Sequence, residues 1–152
     1  AAKNSEASKS GTISTGSNSG SGSSGSGSSS GSSASVSGGG SGAAIASYAL
    51  KFVGNPYVSG GTSLTNGADC SGFTWAVYQN FGISIPRQSD AQGHSGKSVS
   101  YADAQAGDII YYGGHVGIYI GGGRIVHSST PKTGIKISSA TYRGILSVRR
   151  YY

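Results

Sequence analysis

The chain has 152 residues, of which 28 are glycine and one is cysteine, and a formal net charge of +6. A single cysteine excludes an internal disulfide scaffold, and no stretch of this sequence approaches the ~20 apolar residues that a membrane-spanning helix needs. The basic balance favours polyanionic surroundings such as nucleic acid, a membrane surface or an anionic cell wall, but the positive residues are scattered and form no run, so charge alone does not choose among them.

From Ser10 to Gly42 there is no charged and no aromatic residue, only Ser, Gly and Asn with an occasional Thr, Ala, Ile or Val. Such a composition cannot bury enough apolar surface to offset the entropy of ordering, so residues 1–42 read as a flexible linker. The opening "AAKNSEASKS" lacks the apolar core of a signal peptide, and the chain reads as a mature or excised C-terminal piece whose linker joins an upstream region. Residues 43–152 are then about the size of one domain with a single core, expected to act as a monomer.

In "AAIASYALKFVGNPY", Ile45, Tyr48, Ala49 and Phe52 follow the spacing of one helix face, with Gly54 and Pro56 as stop signals. Val58 to Ala68 reads as a glycine-rich loop. In "NGADCSGFTWAVYQNFG", Asp69 is a good N-cap, Phe73, Ala76, Val77 and Phe81 form an apolar stripe, and Gly82 stands where a left-handed cap belongs. The second helix therefore begins at or beside Cys70, which falls at the core-facing edge of that stripe. "ISIPRQSDAQGHSG" reads as mostly loop.

The period then changes. "GDIIYYGGHVGIYIGGGRIVHSS" reads as three short strands, and "GIKISSA" and "GILSVRRYY" as two more. Helices followed by an antiparallel meander predict an α+β fold, with the helices packed on a sheet of about five strands. If Gly121 to Gly123 form the turn, Ile120 faces Arg124, and His127 falls opposite Gly117 on the same face as His115. A two-residue turn would put the two histidines on opposite faces. Side-chain chemistry favours the first register, with Val116, Ile118, Ile120 and Val126 on one face and His115, Tyr119, Ile125 and His127 on the other.

A thiol in the first turn of a helix lies beside unpaired backbone N–H groups and the positive end of the helix dipole, both of which favour thiolate. Together with a histidine, such a position can lower a cysteine pKa from about 8.5 to ~3.5–7.5. The same N–H groups can receive the oxyanion of a tetrahedral intermediate. A cysteine, a proton-exchanging histidine and a third polar group that orients it are the parts needed for amide cleavage through a thioester.

The blocks "GNPYVSGG", "ADCSGF", "IPRQS", "AGDIIYY" and "HVGIYIGGGRIVHSS", with a closing Tyr-rich strand, resemble the NlpC/p-sixty cell-wall peptidases, papain-like enzymes that cut peptidoglycan stem peptides. The resemblance covers nearly all of residues 43–152. By motif it implies Cys70 as nucleophile, His115 as general base and acid, His127 as the orienting third residue, and Tyr57 as a site-lining tyrosine that helps bind the oxyanion. It also implies that Asp69 and Ser71 hold the substrate peptide, a role that can coexist with helix capping by Asp69. Arg87 is expected either to contact a substrate carboxylate or to form a structural ion pair with an aspartate. The implied reaction is hydrolysis between a γ-D-glutamyl (or D-isoglutaminyl) residue and a diamino acid, outside the cell or at the bacterial surface, with no metal or organic cofactor required.

Other readings stand beside this one. An isolated cysteine can be core filler. Cys70, His115 and His127, with His94 as a fourth ligand, could hold zinc, although no short ligand spacing anchors such a site and His94 reads as a solvated loop residue. The strand tyrosines 111, 112, 119, 151 and 152 read first as core and cross-strand pairs. An amidase or acyltransferase on the same scaffold, or an idle wall-binding module, would use the same fold. A nucleic-acid binder would need basic clusters that the sequence lacks.

Overall fold

A computed structural model describes residues 40–152. The linker reading of residues 1–39 lies outside the described residues. The first helix, α1, spans Gly40–Leu50 and so begins inside the stretch read as linker. It buries Ile45, Ala46, Ala49 and Leu50. Phe52, expected on the same helical stripe, follows the last helical turn and packs edge-on against Tyr48, with ring centroids 5.0 Å apart.

A small antiparallel ribbon follows, β1 (Thr62–Ser63) with β2 (Gly67–Ala68), inside the segment expected to be loop. Helix α2 spans Cys70–Gln79 and starts where the sequence placed it. Its far end also follows expectation: Gly82 is left-handed at φ +73°, and the Ile83 N–H donates to the Tyr78 carbonyl at 3.1 Å. A short helix, α3 (Ser89–Gly93), and a strand, β3 (Lys97–Val99), occupy the region read as mostly loop.

The remaining strands are β4 (Ile109–Tyr111), β5 (Val116–Gly121), β6 (Arg124–Thr130), β7 (Gly134–Ser139) and β8 (Ser147–Arg150). With β3 they form one six-stranded sheet in the order β3-β8-β4-β5-β6-β7, every neighbouring pair antiparallel. The five expected strands are present, but only β4 to β7 run as a meander: β8 crosses back to pair with β4 on the opposite side, and β3 extends the sheet at that edge by pairing with β8. The fold is α+β, as predicted.

Both faces of the sheet are covered. On one, Val116, Ile118, Ile120 and Val126 pack with Ile45 and Ala49 of α1 and Phe73, Val77 and Tyr78 of α2. On the other, Ile110, Tyr112, Tyr119, Ile125 and Val148 form a second cluster under Val99, Tyr101, Ala104 and Ile145. This is the division of faces expected from the sequence. Each fully buried Ile or Phe contributes about 1.5–3 kcal/mol, which is what holds α2 against the sheet.

The β5–β6 hairpin departs from expectation at its tip. Gly121, not Ile120, stands opposite Arg124, so the turn is the two-residue Gly122–Gly123. The pairs Ile118↔Val126 and Tyr119↔Ile125 nevertheless keep the expected register, because the ladder shifts by one residue between Tyr119 and Gly121. The bulge at Ile120 absorbs the extra residue, so His115 and His127 stay on one face.

Candidate active site

Asp69 ends the β1–β2 segment in an extended conformation, and its Oδ1 accepts from the Gly72 N–H at 2.7 Å, which caps α2. The first turn of α2 sits tightly against the preceding loop: a Cβ on Gly72 would come within 2.0 Å of the Gly61 carbonyl oxygen. Only glycine fits there, and this close approach ties the Gly-Gly of the loop to the Asp-Cys-Ser-Gly run. The other Asp69 oxygen accepts from the Gly60 N–H at 2.9 Å. Arg87 Nη1 lies 3.2 Å from Asp69 Oδ1 and donates to Ser71 Oγ at 2.8 Å. Asp69, Ser71 and Arg87 therefore form one connected group around the start of α2. Arg87 makes the ion pair with an aspartate that the sequence allowed. These hydrogen bonds and the guanidinium hold the Asp69 carboxyl below its ordinary range, against the opposing effect of burial.

Cys70, half-buried, directs its sulfur to the turn before β5, with Sγ 4.0 Å from the Gly114 carbonyl oxygen and the Val116 N–H turned toward it. The sulfur thus meets the backbone on both sides of His115. Tyr57 is half-buried near both Cys70 and Asp69, and its hydroxyl pKa is raised by burial and then by those two groups. The Gly113–Gly114 turn is held from α3: Asp90 Oδ1 accepts from the Gly114 N–H at 3.2 Å and from the Tyr111 hydroxyl.

The two histidines meet as the register requires. His115 Nε2 and His127 Nδ1 are 2.7 Å apart, and His127 Nε2 lies 2.8 Å from Ser138 Oγ on β7. His127 is fully buried and His115 nearly so. Among the described residues, His115 Nδ1 makes no hydrogen bond to the protein, so it is the ring nitrogen left free to exchange a proton. Tyr142 covers the pair from outside, its ring centroid 5.4 Å from that of His127.

The electrostatics correct one expectation. Helix-start placement predicts a thiol pKa lowered toward neutrality, but burial, with a smaller effect from Asp69, pushes the Cys70 thiol up. The backbone N–H groups of Val116, Ser71 and Cys70 oppose this rise without overcoming it. Burial, and then Arg143, pushes His115 down to about 4; burial, His115, Lys136 and Arg143 push His127 down to about 3. Near neutral pH the resting site therefore pairs a thiol with neutral imidazoles. Without an imidazolium beside it, the first turn of α2 does not by itself keep the sulfur ionised.

The structure brings Tyr57, Asp69, Cys70, Ser71 and Arg87 together at the start of α2 and places His115 and His127 beside them at the sheet. His94 is elsewhere: it is exposed at the end of α3, bonded through Nδ1 to the Asp90 carbonyl at 2.7 Å and stacked edge-on against Tyr111. Among the described residues, no group of three or more His, Cys, Asp or Glu side chains is placed to hold a metal ion. Sequence reasoning missed Ser138 and Asp90. Ser138 is marked only by lying two positions beyond Lys136, the residue paired with His127 across the β6–β7 ladder. Asp90 carries no signal, because its partners are distant in sequence.

Comparison with known proteins bears on the family and the fold. The NlpC/P60 family model matches residues 54–148. A protein of Corynebacterium glutamicum named as a probable endopeptidase is 42% identical over 111 residues, covering 71% of this chain and 53% of the relative. A Bacillus subtilis protein named γ-D-glutamyl-L-lysine dipeptidyl-peptidase is 42% identical over 98 residues, covering 59% of this chain and 32% of its own length. The chain thus spans about half, or less, of the length of these relatives. Among solved structures, the NlpC/P60 domain of the peptidoglycan hydrolase SagA superposes with a TM-score of 0.67 at 36% identity, covering 73% of this chain and 99% of that one. A family match over most of the described residues, on the same papain-like fold, places this chain in the NlpC/P60 family of cysteine peptidases.

Proposed function

We propose that the domain is a peptidoglycan hydrolase, an endopeptidase that cuts the stem peptide between a γ-D-glutamyl (or D-isoglutaminyl) residue and a diamino acid. The observation that carries this reading is the seat of the Cys70 sulfur against the backbone on both sides of His115, whose imidazole is anchored to His127.

In the proposed reaction the Cys70 sulfur attacks the amide carbonyl while its proton passes to His115 Nδ1. Because the resting pair is neutral, proton transfer and attack belong to one step. The oxyanion is received by the Cys70 backbone N–H and the Tyr57 hydroxyl, and Asp69, Ser71 and Arg87 hold the glutamyl side. Breakdown breaks the C–N bond, and His115 gives its proton to the leaving amine. Water then attacks the thioester with His115 Nδ1 as base, which releases the acid and restores the thiol. His127 orients His115 and transfers no proton to substrate. The substrate class puts the proposed reaction at the bacterial wall, outside the cell or at its surface.

The covalent step is open to direct test. During turnover of L-alanyl-γ-D-glutamyl-L-lysine, acid quench followed by mass spectrometry is expected to find the alanyl-glutamyl group on the peptide that contains Cys70, removable by hydroxylamine. Turnover with no adduct on Cys70 under rapid quench, together with full activity in Cys70→Ala, would remove the thioester scheme.

A further inference from the structure

Beside the histidines, on the second face of the sheet, an open groove of about 810 Å³ runs between the Ser98–Tyr101 segment and residues 141–149. Its walls include Tyr101, Tyr142, Arg143, Leu146 and Arg149, and none of its lining residues is acidic. The carboxylate that borders it, Asp103, accepts the Ser100 hydroxyl at 3.0 Å. Arg149 is partly engaged, its Nε donating to the Gly93 carbonyl at 2.9 Å, whereas Arg143 is exposed, with its guanidinium 5.9 Å from the centre of the Tyr112 ring.

Two features connect this groove with the reacting groups. Tyr142 lies over both Tyr112 and His127, at 5.4 Å between ring centres in each case. Leu146 donates its backbone N–H to the Tyr111 carbonyl at 2.8 Å and packs over Gly113, the neighbour of the glycine whose carbonyl faces the Cys70 sulfur. Tyr142 and Leu146 are also two of the three large apolar side chains left exposed among the described residues, at 44% and 68%. Exposed apolar groups gathered beside a basic residue at the edge of a reaction centre mark a surface that a ligand covers.

The two sides of the site differ chemically. The start of α2, with Asp69, Ser71 and Arg87, is where the proposed reaction holds the acyl half. The imidazole that protonates the leaving amine must lie on the leaving side, and Tyr142, one wall of the groove, packs against His127. Resting on the peptidase reading above, we propose that this groove is the leaving-side subsite: it takes the diamino acid and the residue after it, with their aliphatic parts on Tyr142 and Leu146 and a free carboxylate on Arg143. A free carboxylate is recognised by a charge-assisted hydrogen bond that a carboxamide does not reproduce. The site therefore favours stems that end freely on this side over amidated ones.

The test separates this subsite from the chemistry. Calorimetry would measure binding of N-acetyl-L-lysyl-D-alanine and of its C-terminal amide to the whole chain and to Arg143→Gln and Leu146→Ala. Amide chemical shifts would locate the contact. The acid is expected to bind about tenfold tighter than the amide, as one charge-assisted bond implies. Arg143→Gln should bring the two within about twofold, and Leu146→Ala should weaken both alike, with shifts confined to residues 98–101, 141–149 and the histidines. Equal binding of acid and amide to the unaltered chain, discrimination preserved in Arg143→Gln, or shifts centred elsewhere would overturn the subsite. A chain that binds the acid as described but cleaves no stem peptide would instead refute the peptidase reading and leave the groove standing.

Discussion

When His115 holds the thiol proton on Nδ1, its Nε2 must donate to His127 Nδ1 at 2.7 Å, and His127 must then carry its own proton on Nε2 and donate to Ser138 Oγ at 2.8 Å. Only one arrangement of protons is compatible with the charged intermediate, and Ser138 is the acceptor at its end. In the proposed reaction Ser138 is thus a positioning residue acting through His127. Ser138→Ala is expected to lower kcat about tenfold with little change in KM, since a buried N–H left without an acceptor costs roughly 1–3 kcal/mol. Ser138→Thr should restore most of it, and an equal loss in both variants would mark a merely structural effect. His127→Ala should leave partial activity and Cys70→Ala none. The pH profile follows from the same burial: with His115 at about 4, the acid limb of kcat/KM should fall near pH 4. A limb at the ordinary histidine value near 6.5 would show that the imidazole is not kept neutral as described.

Among the elements, α2 and α3 are joined by one buried side chain. Gln92 donates to the Ser71 carbonyl at 3.0 Å and the Pro86 carbonyl at 2.9 Å, and accepts the Thr74 hydroxyl at 2.5 Å. Gln92→Ala strands these buried groups and is expected to cost on the order of 2–3 kcal/mol, read as a lower urea midpoint at unchanged slope. Because α3 also carries Asp90, which holds the Gly113–Gly114 turn, the same variant should reduce activity beyond its loss of stability. An unchanged midpoint would show that α3 is not braced in this way. The cap and stripe of α2 were legible in the sequence because they are local signals: Asp69, the apolar spacing and Gly82 all act within one helix. Neither α3 nor β3 was legible, since α3 is held by Gln92 and β3 by pairing with β8 from the far end of the chain. The bulge at Ile120 escaped for a different reason. A three-residue turn and a two-residue turn with a compensating bulge place the histidines identically, so side-chain chemistry predicted the correct face from an incorrect turn. Ser138 was invisible because a serine on a mixed strand has no pattern that separates a hydrogen-bonded partner from a solvated one.

At the scale of the molecule, the domain keeps two histidines neutral inside a basic chain. Their folded pKa values of about 4 and about 3 lie below the ordinary 6.5, so the unfolded state binds more protons below that value. Stability should therefore fall as pH drops from about 6.5 through 4, by a few kcal/mol, whereas the contribution of Asp69, whose pKa is lowered, should be lost only under more acid conditions. Thermal midpoints at pH 7 and 4.5 would check this, and equal midpoints would contradict it. Among the described residues no helix is long and apolar enough to cross a membrane. The net charge of +6 suits work beside an anionic polymer. The proposed cleavage of peptidoglycan stems by Cys70 is tested most directly by mass spectrometry of purified muropeptides incubated with the wild-type chain and with Cys70→Ala. Fragments cut after the second stem residue by the wild type alone are the expected result. Intact muropeptides with both proteins, or fragments separated at the amino sugar, would contradict the endopeptidase assignment and direct the same site to another acyl substrate.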